Sequence, residues 1–142
     1  PRDYKMQNEL FVEECASCHT LYPPESLPKK SWVMVMNDLE NHFGDDASID
    51  EVDKNSILSF LEKNSAETST KEMSVKILDS IKNKDIIAIT RTSFWEKTHE
   101  EIPKKIFEHK SIKSKANCKA CLSDIEKGLV EDENIKNISN FM

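Results

Sequence analysis

The chain has 142 residues, the size of one ordinary domain, and its 37% hydrophobic and 32% charged residues exclude a disordered or membrane-embedded protein. A net charge of -6 argues against nucleic acid as a partner, because phosphate binding needs a basic face, and favours a partner carrying a basic patch. Two glycines and few aromatics, set among plentiful Lys, Glu, Ile and Leu, speak against a sandwich or barrel and predict an all-α, mostly helical fold.

In chain order, Met6, Leu10 and Phe11 recur at helical spacing and predict a helix that runs into Cys15. There it meets Cys15-Ala16-Ser17-Cys18-His19, a C-x-x-C-H motif that reads as a covalent haem attachment site. On a helix, thiols three residues apart share a face and can form thioethers to the two vinyl groups of one haem. His19 is then placed to ligate the iron, leaving the sixth position to another side chain. Thioredoxin-like chemistry would want a strand before the motif, and 8–14 reads as helix. A zinc site would need Cys118 and Cys121, about a hundred residues away and outside zinc-ribbon spacing. A structural disulfide is the remaining alternative.

The prolines of Tyr22-Pro23-Pro24-Glu25-Ser26-Leu27-Pro28 end the first helix. A second helix is expected over 31–43, capped by Ser31 and closed by Gly44, with Trp32, Val35, Met36, Leu39, His42 and Phe43 on one buried face. A histidine on that face near an attached haem is the candidate distal ligand, with Met34 and Met36 as competitors. Ser48 and Glu51 have capping-box spacing and predict a helix burying Val52, Ile57, Phe60 and Leu61. The acidic turn before it lacks the EF-hand ligand pattern and its glycine.

The polar stretch 64–70 is the candidate linker between two halves, at about 1–64 and 71–142, of a single domain. Beyond it, Met73, Ile77 and Ile81 mark another helix, and 86–90 suits a short extended segment. Ser93 and Glu96 predict a capped helix carrying Trp95, His99 and Ile102 up to Pro103. The closing helix is expected over 116–127, with Cys118, Cys121, Leu122 and Ile125 in one stripe and Gly128 as its cap. Leu122 stands where a second C-x-x-C-H would place its histidine.

These stretches resemble the dihaem cytochrome c proteins of bacterial periplasms. The resemblance rests on Glu14 to His19 with Tyr22-Pro23-Pro24, on Leu27-Pro28 with Ser31-Trp32, and on His42-Phe43-Gly44 with Ala47-Ser48. Ser93 to Pro103 and Ala116 to Cys121 follow in the same order. It implies two covalent haem c groups with bis-histidine ligation in a protein that passes electrons between redox proteins. Such partners include a membrane b-type cytochrome and an oxygen-binding monohaem cytochrome. Carried over, Cys15, Cys18 and His19 hold the first haem, with His42 and His99 as distal ligands. A second haem would attach at Cys118 and Cys121, where Leu122 departs from the family pattern and His99 alone, or His99 with His109, would ligate it. His109 lies in the charged run Glu108-His109-Lys110, which reads equally as solvated surface.

Covalent haem implies export, and a chain beginning at Pro1 without an apolar leader is expected to be a mature periplasmic form. Three functions follow. The first is an electron carrier with one or two haems. The second is a haem protein with an open iron site for peroxide, nitric oxide or oxygen. The third is a non-haem domain stabilised by its cysteines. The chain shows no recognisable nucleophile setting and no Gly-rich phosphate loop, which favours the carrier over an enzyme.

Overall fold

The computed structural model describes residues 2–82 and 84–130, and among them every regular element is helical. Seven helices follow one another: α1 (Tyr4–Gln7), α2 (Glu9–Cys15), α3 (Lys29–Met36), α4 (Glu51–Lys63), α5 (Glu72–Ile81), α6 (Ser93–Thr98) and α7 (Lys104–Phe107). Short 3-10 turns connect them, and one isolated antiparallel bridge joins His42 to Asp45. The all-α expectation is therefore met.

The chain divides into two compact units, Pro24–Lys97 and a second made of Pro1–Pro23 with Thr98–Met142. The continuous unit has the larger core. Leu27, Trp32 and Met36 of its first part, Ile57, Phe60 and Leu61 of α4, and Ile77 and Ile81 of α5 are all buried. The i, i+3, i+4 spacing that predicted α4 and α5 works because it puts those side chains on one face. Trp32 also donates its indole N–H to the Pro24 carbonyl at 2.8 Å, so the buried ring keeps no unpaired donor.

Glu25 is 1% exposed and holds a carboxylate against the Lys71 ammonium at 2.9 Å, while Ser74 Oγ donates to the Glu25 backbone carbonyl. A buried carboxylate that loses its cation keeps its desolvation cost. Lys71→Met is expected to lower stability by about 2 kcal/mol, less than a fully buried pair would because Lys71 is 34% exposed. Urea unfolding of the holoprotein checks this, and an unchanged midpoint would show that Glu25 does not depend on Lys71.

Several helices are shorter than the periodicity predicts, each for a local reason. The first is split at Asn8, whose extended backbone interrupts it and whose side chain instead caps α2 by accepting from Phe11 N–H at 3.0 Å. Met6 is left 84% exposed on the wrong side of that break. α3 stops at Met36: Asn37 N–H closes the last turn on the Val33 and Val35 carbonyls, and Asp38, at φ -135° and ψ 43°, leaves the helical region. Ser31 lies inside α3 and does not cap it; Pro28 precedes the first turn. His42 and Phe43 therefore leave the expected buried stripe, and Gly44, at φ 91°, closes a turn rather than a helix.

The α4 cap is Asp50, accepting from Asp53 N–H at 2.9 Å, and Ser48 bonds to Asp46 instead. Val52 faces out, 78% exposed. The stretch 64–70 is packed chain rather than a loose linker. Ser65 and Ala66 are buried, and Ala66 N–H donates to the Leu27 carbonyl at 2.9 Å. Ala88 is extended as expected, then a 3-10 turn follows at Ile89–Arg91. The cap of α6 is Thr92, one residue earlier than expected, accepting from Trp95 N–H at 3.1 Å. α6 ends at Thr98, ahead of the restriction that Pro103 places on its predecessor, so His99 and Ile102 lie beyond it.

Candidate haem centre

All four cysteines belong to the discontinuous unit, together with His19, His99 and His109. That unit has the smaller core, with Tyr4, Phe11, Leu21, Pro23, Ile106, Ile112 and Ile125 as its buried apolar side chains among the described residues. It is also mostly turns. A chain segment of this kind gains from an apolar cofactor that supplies the missing buried surface.

The first motif begins as α2 ends. Phe11 anchors the helix, packing edge-on to Tyr4 with ring centroids 6.1 Å apart, and Ala16 N–H closes the last turn on the Val12 carbonyl at 2.9 Å. Cys15 is thus the last helical residue and Cys18 sits three residues on in a turn, exposed. The two thiols share no helix face, contrary to the expectation of a continuous helix. Burial, and secondarily the Glu14 charge, pushes the Cys15 thiol up to about 12. A neutral sulfur suits such surroundings, as thioethers are neutral and zinc-bound thiolates are not.

His19 carries the most telling geometry. Its Nδ1 lies 2.7 Å from the Thr20 carbonyl oxygen, and since a carbonyl can only accept, Nδ1 holds the proton. The lone pair is then on Nε2, the tautomer that metal-ligating histidines adopt. The ring stacks on Tyr22 at 5.2 Å with planes 30° apart, which restricts its orientation. Two thiols followed by an imidazole in that tautomer form a donor set that fits haem attachment.

The second motif lies in a 3-10 turn at Cys118–Ala120, followed by another at Ile125–Lys127 that Gly128 closes at φ 80°. The single helix expected over 116–127 is replaced by these turns. Leu122 N–H donates to the Cys118 carbonyl at 2.8 Å, so the residue after the second cysteine is held on the same turn as the first. Burial pushes the Cys118 thiol up to about 11.

Nothing in the sequence announces how the two motifs meet. Thr20 Oγ1 donates to Asn117 Oδ1 at 3.3 Å, Leu21 N–H to the Glu126 carboxylate at 2.9 Å, and Tyr22 O–H to the Ala116 carbonyl at 2.6 Å. Three consecutive residues directly after His19 therefore grip both ends of the second motif. Burial raises the Tyr22 phenol above its ordinary range, with the Cys118 sulfur adding to the effect. Burial would also raise Glu126, but the Lys119 ammonium at 2.8 Å and the Leu21 N–H outweigh it and hold the carboxyl below its usual range.

The remaining histidines are in different settings. His42 occupies the tight turn of the other unit, half-buried, exchanging backbone bonds with Asp45 at 2.8 and 3.1 Å and meeting the Phe43 ring edge-on at 4.8 Å. Phe43 takes a positive φ of 53°, a strained conformation for a bulky residue, with the Arg91 guanidinium over its ring. His99 is half-buried just past α6. His109 has the opposite tautomer to His19: its Nδ1 accepts from Ser111 N–H at 3.0 Å, which puts the proton on Nε2.

None of the four cysteines is in a disulfide, and among the described residues no three His, Cys, Asp or Glu side chains converge on a metal-sized site. An open cleft of about 570 Å³ borders the first motif at Ala16, lined also by Tyr4, Val12, Leu21 and Glu126. The cysteines and His19 do not line it, so it is not assigned to haem. Among the described residues no helix is long and apolar enough to cross a membrane.

Comparison with known proteins shows the family. A family profile described as dihaem cytochrome c matches residues 11–130. The fold is similar to that of a dihaem cytochrome c from Rhodobacter sphaeroides, with 34% identity over 87% of this chain and 96% of that one and a TM-score of 0.75. A dihaem cytochrome c from Shewanella baltica is similar at 30% identity over 95% of each chain, with a TM-score of 0.76. No curated protein sequence matches. The chain belongs to the dihaem cytochrome c family, as a helical c-type cytochrome of electron transport whose cofactor is haem c.

Proposed function

We propose that the protein is a periplasmic electron carrier, not an enzyme, with one haem held by Cys15 and Cys18 and ligated by His19 and His42. A second haem attaches at Cys118 and Cys121 with non-standard ligation that includes His99. The haem halves, at about 1–64 and 71–142, form a single functional domain. Bound haem supplies a one-electron iron couple whose potential follows its axial ligands and its burial.

The chain's own residues attach, orient and shield that group. The observation that carries the reading is the His19 hydrogen bond to Thr20, which sets the imidazole in the ligating tautomer directly after two thiols. The grip of Thr20, Leu21 and Tyr22 on the second motif supports two haems in one unit, since it holds both pairs of cysteines in a fixed relation. The net charge of -6 suits a redox partner with a basic face, either a membrane b-type cytochrome or another soluble cytochrome, as the family resemblance implies.

Thioether-bound haem survives unfolding, so the mass of the denatured chain, produced in a host that matures c-type cytochromes, tests the reading. Two haem increments are expected. A chain with none would overturn it.

A further inference from the structure

Resting on that assignment of the second haem, we infer that its iron keeps His99 as the one axial ligand from the protein, and that the opposite position, left open by Leu122, binds a small neutral diatomic gas such as carbon monoxide or nitric oxide.

The argument is one of elimination among the four histidines and the polar side chains described beside the motif. The chain has four histidines. His19 serves its own motif, and His42 is the distal ligand proposed for the first haem. His109 holds its Nδ1 lone pair against Ser111 N–H, which places a proton on Nε2, so ligation by either nitrogen would require giving up that arrangement. Two polar side chains beside the second motif are also engaged. Lys119 pairs with Glu126 at 2.8 Å, and the Tyr22 hydroxyl donates to the Ala116 carbonyl at 2.6 Å. Meanwhile Leu122 N–H bonds to the Cys118 carbonyl, so the residue after the second cysteine is held on the turn of the motif. Leu122 stands where a C-x-x-C-H motif has its histidine, so this turn carries an aliphatic side chain in place of an imidazole.

The same leucine selects the gas. Bound oxygen gathers negative charge and is held by a hydrogen-bond donor beside it, whereas carbon monoxide and nitric oxide bind without one. Leu122 offers no donor, and it likewise disfavours hydroxide or other anions that need their charge solvated. An apolar wall of this kind suits a neutral diatomic ligand.

The test uses the holoprotein with its haem number counted by denatured mass. With two haems attached, the ferric protein is expected to show a high-spin component from one of them, and the reduced protein to take up one carbon monoxide per two haems. Leu122→His should abolish both signals and leave the other haem's spectrum unchanged. The stoichiometry of the parent protein decides the matter even if that variant does not fold. Two haems with no carbon monoxide uptake would overturn the open site while leaving the electron-carrier reading intact. A single haem increment, retained in Cys118→Ser/Cys121→Ser, would overturn it by removing the second iron. No increment at all would bring down both.

Discussion

In Cys15→Ser/Cys18→Ser, the denatured chain should lose one haem increment and the Soret absorbance of the matured protein should fall by about half, the share of one haem in two. The argument begins with what the two sulfurs can do where they are. Cys15 ends α2, and burial holds its thiol far above the pH of any cell compartment. Such a sulfur is a poor thiolate ligand, but as a thioether it carries no charge and loses nothing by being covered. Serine keeps the volume and removes the carbon–sulfur bond. A disulfide role would predict a different result, namely a loss of stability under oxidising conditions with all haem retained. An unchanged haem count in the double variant would transfer attachment elsewhere and sink the first site. Because the cysteine-bearing unit has few buried apolar side chains of its own, the same variant is also expected to unfold at lower urea than the parent.

What could be read from the sequence divides by range. The C-x-x-C-H motif was legible because covalent attachment and ligation require those residue types in immediate succession. The cores of α4 and α5 were legible because Ile57, Phe60 and Leu61, and then Ile77 and Ile81, repeat at the helical period over two or more turns. Where the reading failed, periodicity was followed past a residue that stops a helix. Asn8 used its side chain as a cap, the backbone left the helical region at Asp38 after α3, and the apolar spacing over 116–127 folded into two tight turns.

The contacts that tie the two motifs together were beyond reach for a different reason. They join residues 97, 105 and 94 positions apart, and each is an ordinary polar pair that no local pattern marks. Nothing in the sequence pairs Thr20 with Asn117, Leu21 with Glu126 or Tyr22 with Ala116 until the chain is folded. The tautomers of His19 and His109 belong to the same class. Sequence offers both as imidazoles, and only a carbonyl oxygen beside one and an amide N–H beside the other separates them.

Removing His42 offers the sharpest test of the distal ligand. His42→Ala is expected to abolish the low-spin component assigned to the first haem and replace it with a high-spin one, while the haem count stays the same. The substitution should be mild for the fold, because the bridge that shapes this turn runs through the backbone of His42 and Asp45, and an alanine keeps both bonds. Gly44 at φ 91° continues to close the turn, and with nothing within 4 Å of where its Cβ would be, it is the backbone angle that demands glycine there. The edge-on contact with Phe43 is lost, and at a half-exposed ring that costs about 0.5 kcal/mol. Adding free imidazole to the variant should restore the low-spin spectrum, a rescue that a merely structural histidine would not produce. If the low-spin signal persists in the variant, His42 is not a ligand. Met34 and Met36, the latter buried in α3, then become the side chains to replace next. A methionine there would also raise the haem's potential relative to bis-histidine ligation, so the potential of the parent protein separates the two assignments independently.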